Sequence, residues 1–212
     1  MSVPLRILAA ALALFAVLAG AFTAYRMQSA GMVAPEDIDA TIFSATRPVP
    51  QFALTDHNDA AFDPQRLQGH WSLLFFGFTQ CPDVCPTTLN TLARSLALLG
   101  DLPASRRPEV VMISVDPERD TVTRLRDYVP FFDPTFVGVT GATAEIDALT
   151  AALGVAHQKI PRDDGDYTVD HTASIFLIDP TGRQAALFSP PLEAADLAAR
   201  YKATISYLES RR

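Results

Sequence analysis

Three short apolar runs constrain this chain more than any other feature. Trp71–Phe76 (WSLLFF), Val110–Val115 (VVMISV) and Ser174–Ile178 (SIFLI) have no recurring polar face. A strand with one wet side alternates polar and apolar residues, whereas a strand covered on both sides does not. Between these runs the pattern changes period. Leu89, Leu92, Leu96 and Leu99 recur at helical spacing before Gly100, and further helices are predicted from about Thr121 to Tyr128 and from about Thr143 to Leu153. A strand at Thr135–Val139 separates those two helices. Asp179-Pro180-Thr181-Gly182 reads as a turn into a strand at about Gln184–Phe188, and an amphipathic helix near Leu192–Leu208 follows. A small hairpin is expected earlier, from Phe52–Thr55 to Ala61–Phe62 across the turn cluster Asp56-His57-Asn58-Asp59. The fold class is therefore α/β, with a mixed central sheet flanked by helices.

The N-terminus has a different character. Nineteen residues, Ile7 to Tyr25, carry no charge between Arg6 and Arg26. As a helix they would span about 28 Å, close to the thickness of a bilayer core. We read residues 1–27 as a membrane anchor, with a signal peptide cleaved near Ala19-Gly20-Ala21 as the competing reading. Either reading sends the rest of the chain to the periplasmic or an equivalent exported side. Residues 28–50, with Ser29, Gly31, Pro35, Pro48 and Pro50, read as a tether, and residues 51–212 as one domain. A formal charge of -7, with no run of Lys or Arg, argues against nucleic acid as a partner. Two cysteines are too few for a disulfide scaffold.

Those two cysteines sit where the first buried strand ends and a helix begins. Ligands bind at the carboxyl ends of strands in open α/β sheets. A helix N-terminus also favours a thiolate, which predicts a lowered cysteine pKa. Cys81 and Cys85 are four residues apart, so one helical turn brings both sulfurs to one face, within reach of each other or of one metal ion. A fixed disulfide bracing the turn would stabilise little, because the loop it closes is so short. A redox pair is a stronger rival, although thioredoxin-type pairs have two intervening residues rather than three. Of the four histidines, His57, His70 and His157 read as surface or structural residues. His171 stands in Asp170-His171-Thr172-Ala173-Ser174, directly ahead of a buried strand, but nothing local brings it to the cysteines. If it joined them, two thiolates and a neutral imidazole would make a soft, low-coordinate site suited to copper, whereas structural zinc would need a fourth ligand.

At this point the chain resembles the Sco/SenC family of copper-binding proteins of cytochrome c oxidase assembly. The resemblance rests on Gly77-Phe78-Thr79-Gln80-Cys81-Pro82-Asp83-Val84-Cys85-Pro86, on Ser114-Val115-Asp116-Pro117-Glu118-Arg119-Asp120-Thr121, and on Asp170-His171-Thr172-Ala173-Ser174 with Phe176-Leu177-Ile178-Asp179-Pro180. It implies a thioredoxin-like fold in which Cys81, Cys85 and His171 bind one copper ion, as Cu(I) or Cu(II). It implies delivery of that copper to the binuclear centre of cytochrome c oxidase subunit II, or reduction of the acceptor cysteines there by a thiol:disulfide exchange at Cys81 and Cys85. Other periplasmic copper chaperones or thiol reductases are further candidate partners, with the membrane engaged through residues 7–25. Asp170 is expected to orient His171, and Asp83 to lie near the ligands or to complement the helix terminus. Asp116, Arg119 and Asp120 are read as shaping a loop, and the acidic segment Asp163-Asp164-Gly165-Asp166 as a surface for a partner. Two departures from the family pattern stand out. The first hairpin turn lacks a glycine, so Asn58 is expected to take the left-handed conformation, and His70 replaces a lysine.

Overall fold

Eight strands form one sheet in the order β1-β10-β9-β4-β5-β6-β2-β3. The computed structural model describes residues 38–211 apart from residue 164. At its centre β4 (Ser72–Gly77) runs parallel to β5 (Glu109–Ser114), and β5 parallel to β6 (Val137–Thr140). On one side β9 (Ile175–Asp179) is antiparallel to β4, followed by β10 (Arg183–Phe188) and β1 (Thr41–Pro48). On the other side the hairpin β2 (Leu54–Asp56) and β3 (Ala61–Phe62) joins through β2 to β6. The mixed sheet expected from the apolar runs is thus present, and all six residues of β4 and all five of β9 are buried.

Helices α1 (Val84–Leu98), α2 (Val122–Tyr128), α3 (Thr143–Leu153) and α4 (Ala194–Ser210) flank this sheet. The buried side of α1 is Cys85, Thr88, Leu89, Leu92 and Ser95, spaced as one helical face. There Ser95 Oγ donates to the Ala194 carbonyl at 3.0 Å, joining α1 to the start of α4. Gly154 ends α3 in the left-handed conformation, φ 78°, which costs a glycine nothing.

Three local readings need correction. Residues 41–48, taken as part of the tether, are strand β1, which pairs with β10 at the sheet edge. Its one proline, Pro48, misled because an edge strand tolerates proline at its end. In the first hairpin it is Asp59, not Asn58, that takes positive φ, at 63°. Asp56 Oδ1 accepts from the Asn58 and Ala60 amides and so builds the turn without glycine. Finally, a separate two-stranded sheet, β7 (His157–Pro161) with β8 (Tyr167–His171), was not foreseen. Among the described residues no helix is long and apolar enough to cross a membrane, and the segment Ile7–Tyr25 lies outside them.

Candidate metal centre

Cys81 lies in the loop between β4 and α1, and Cys85 in the first turn of α1. The Cys85 amide donates to Cys81 Sγ at 3.3 Å, so the helix terminus reaches the sulfur as its unpaired amides allow. Cys85 is fully buried, Cys81 is half-buried, and both are free thiols. Space for the Cys85 sulfur comes from Gly77, where a Cβ would sit 3.1 Å from Sγ and 2.7 Å from Cε1 of Phe75.

His171 arrives from the end of β8. Its Nε2 lies 3.3 Å from Cys85 Sγ, and its Nδ1 lies 3.2 Å from the Thr172 carbonyl oxygen. A carbonyl only accepts, so the neutral ring carries its proton on Nδ1 and turns the Nε2 lone pair toward the cysteines. The rings of Phe75 and Phe78 meet it edge-on, at 6.0 and 5.9 Å between centroids. One donor atom from each of Cys81, Cys85 and His171 lies within 4.8 Å of the other two, and among the described residues no other His, Cys, Asp or Glu trio does this.

Electrostatics follow burial. Desolvation lowers the His171 pKa from its ordinary 6.5, against the opposing pull of the Thr172 carbonyl and the charge of Asp170, so the ring stays neutral as a metal ligand must. Desolvation also pushes the Cys85 thiol far above its ordinary range, outweighing a hydrogen bond to the Phe78 backbone. The lowered pKa expected from the helix terminus therefore does not hold for Cys85 in the metal-free fold. Cys85 is a proton reservoir that a soft cation would discharge.

Of the acidic residues, Asp83 keeps its expected place at the helix terminus, whereas Asp170 and Asp120 differ from expectation. Asp170 is exposed and makes no hydrogen bond to the ring of His171, acting on it through charge alone. Asp83 caps α1 by position and accepts from Thr87 Oγ1 at 3.3 Å. Asp120, read as loop-shaping, is fully buried and holds the cysteine loop directly. It accepts from Thr79 N at 2.9 Å, Thr79 Oγ1 at 2.6 Å and Ser114 Oγ at 2.7 Å. Burial raises its pKa, and these three donors oppose the rise. Its signal in the sequence was an Asp closely following a buried strand. The other histidines are structural: His57 Nδ1 accepts from Gly138 N, His70 meets Glu109, and His157 meets Thr150 and Asp147. A groove of about 450 Å³ opens beside the donor atoms, walled by Phe78, Val84, Ile160 and Ala173.

Residues 42–206 match the family model described as SCO1/SenC. The chain belongs to the SCO1/SenC family. It is 36% identical over 153 residues to an SCO2-like protein of Rickettsia prowazekii, covering 71% of this chain and 74% of the relative. Among solved structures, Arabidopsis thaliana ScoI with copper bound superposes with a TM-score of 0.70 at 32% identity, covering 74% of this chain and 98% of that one. Bradyrhizobium japonicum ScoI with copper bound gives 0.66 at 40% identity, covering 73% and 98%. The thioredoxin-like α/β fold stands with this family.

Proposed function

We propose that this chain is a copper carrier, holding one copper ion on Cys81, Cys85 and His171 and delivering it to the thiolates of the binuclear copper centre in cytochrome c oxidase subunit II. The observation that carries this reading is the convergence of two sulfurs and one lone-pair nitrogen within 4.8 Å beside an open groove. Copper-bound relatives of the same family support the choice of metal. The charge balance supports it too: two thiolates with Cu(I) leave one negative charge, and with Cu(II) none, so neither state buries a large net charge. Three donors rather than four leave copper open to an incoming thiolate. Acceptor sulfurs would replace Cys81 first, because it is the more exposed ligand, and the buried Cys85 last. The carrier would work on the periplasmic or equivalent exported side, tethered through residues 7–25.

One observation favours a second reading. Cys81 and Cys85 are both free, with their sulfurs within 4.8 Å. A thiol:disulfide reductase would use Cys81 to attack an acceptor disulfide and Cys85 to resolve the mixed disulfide, leaving Cys81–Cys85 oxidised and two acceptor thiols reduced.

Titration of the reduced full-length chain with copper tests the first reading. One equivalent is expected, with thiolate-to-copper charge transfer in the Cu(II) form; both are lost in Cys81→Ser, and His171→Ala keeps only the weaker Cu(I) binding of two sulfurs and loses the Cu(II) charge-transfer band. Binding unchanged in those variants would sink the site. Reduction of a disulfide-bonded acceptor peptide by the copper-free chain would favour the reductase.

A further inference from the structure

The hairpin that brings His171 to the cysteines has little backbone to hold it. β7 and β8 pair with each other, and neither pairs with a strand of the main sheet. At its base the Thr172 amide donates to the Ala156 carbonyl at 2.9 Å and the Ala156 amide to Thr172 Oγ1 at 3.0 Å. Elsewhere it is held by side chains: Val169 is buried, Tyr167 packs against the core, and His157 meets Thr150 and Asp147 of α3. The exposed Lys159–Glu118 ion pair, at 2.7 Å, contributes little in water.

One guanidinium touches every segment that matters. Arg119, 15% exposed, pairs through Nε with the buried carboxylate of Asp116. Its Nη1 faces three acceptors: Asp166 Oδ1 at 3.0 Å, the Tyr167 carbonyl at 3.0 Å and Gln80 Oε1 at 3.3 Å. The guanidinium carbon lies 3.7 Å from the centre of the Tyr167 ring and 5.9 Å from that of Phe78. Tyr167 closes the circuit by donating from Oη to Asp116 Oδ1 at 2.7 Å. Gln80 is the residue before Cys81, and Tyr167 begins the strand that ends in His171. A planar fork that hydrogen-bonds in its plane and stacks on its face is peculiar to arginine.

We propose that Arg119, with Asp116 and Tyr167, is a clamp that sets the position of His171 over the cysteines. These are positioning residues, since none of them supplies a donor atom to the metal centre. Without the clamp the hairpin pivots on its base, and the donor set spends time as two sulfurs alone. The copper part of this inference rests on the reading in the preceding subsection, whereas the clamp itself is testable without metal.

The experiment uses the full-length chain and its Arg119→Ala, Arg119→Lys, Tyr167→Phe and Lys159→Ala variants. Hydrogen exchange in the copper-free state is expected to show lost amide protection confined to residues 157–171 in the two Arg119 variants, weaker loss in Tyr167→Phe, and none in Lys159→Ala. Cu(I) affinity, by competition with a chromophoric chelator, should fall about 10- to 100-fold in Arg119→Ala, the range usual for groups that orient a metal ligand. In a His171→Ala background the same substitution should have almost no further effect, because Arg119 acts through His171. Wild-type hairpin protection in Arg119→Ala, or an equal affinity loss in the His171→Ala background, overturns the proposal. Should Arg119→Ala not fold, Arg119→Lys and Tyr167→Phe decide it on the same two readouts. A wild-type chain that binds no copper removes the preceding reading and leaves hydrogen exchange to decide the clamp.

Discussion

Gly77→Ala should damage stability and metal binding together. Gly77 is the last residue of β4, in a strand buried throughout. Its new methyl group would lie 2.7 Å from Phe75 Cε1, 3.2 Å from Phe75 Cζ and 3.1 Å from Cys85 Sγ. The Phe75 ring is fully buried and already meets His171 at 6.0 Å, so it has no free space to swing into. Overpacking of this kind costs about 1–3 kcal/mol. For a domain of this size that is a fall in Tm of about 2–12 °C. The same push moves two of the three donors, Cys85 directly and His171 through Phe75, by several tenths of an ångström or more. Metal–ligand distances tolerate about 0.2 Å. Thermal unfolding of the copper-free chain, followed by Cu(I) competition on the folded variant, measures both effects. A Gly77→Ala chain with wild-type Tm and wild-type affinity would refute the claim that this glycine makes room for the sulfur.

Further outcomes follow from the same geometry. Asp120→Ala strands three buried donors, Thr79 N, Thr79 Oγ1 and Ser114 Oγ, and should cost at least about 3 kcal/mol in chemical denaturation, since each unsatisfied group costs about 1–3 kcal/mol. Because the His171 pKa is lowered on folding, the unfolded chain binds the extra proton, so its contribution to copper-free stability is full above pH 6.5 and is lost as pH falls below that value. Because the Cys85 pKa is raised, its contribution is full below pH 9.0 and is lost as pH rises above it. Denaturation midpoints across pH should show both limbs, with the acid limb flattened in His171→Gln and the alkaline limb in Cys85→Ala. Copper binding at pH 7 should release the Cys85 proton, measurable as buffer-dependent binding enthalpy, and that release should shrink in Cys85→Ser.

Much of the architecture was legible because it depends on burial. A strand covered on both faces must be apolar throughout, so WSLLFF and SIFLI declared β4 and β9 directly. Helix α3 fell on its expected bounds, Thr143–Leu153, because Gly154 supplies a left-handed stop. The edge strand β1 and the hairpin β7–β8 escaped because most of their side chains face water, leaving no run or clean alternation to read. Arg119 and Asp120 looked like ordinary loop residues for a related reason. The partners that tie them to the site, Thr79, Gln80, Asp166 and Tyr167, lie about 40 to 50 positions away, and sequence spacing says nothing about contacts at that range.

The sequence alone determined the α/β class, the strand-to-helix junction and the pairing of Cys81 with Cys85, since each is a matter of local periodicity or of one helical turn. Only the tertiary structure decided that His171 joins them, 86 residues from Cys85. It also decided that Cys85 is a buried, protonated thiol rather than an activated one. Ligand convergence and desolvation are properties of packed neighbours, so they exist only once the hairpin has closed over β4.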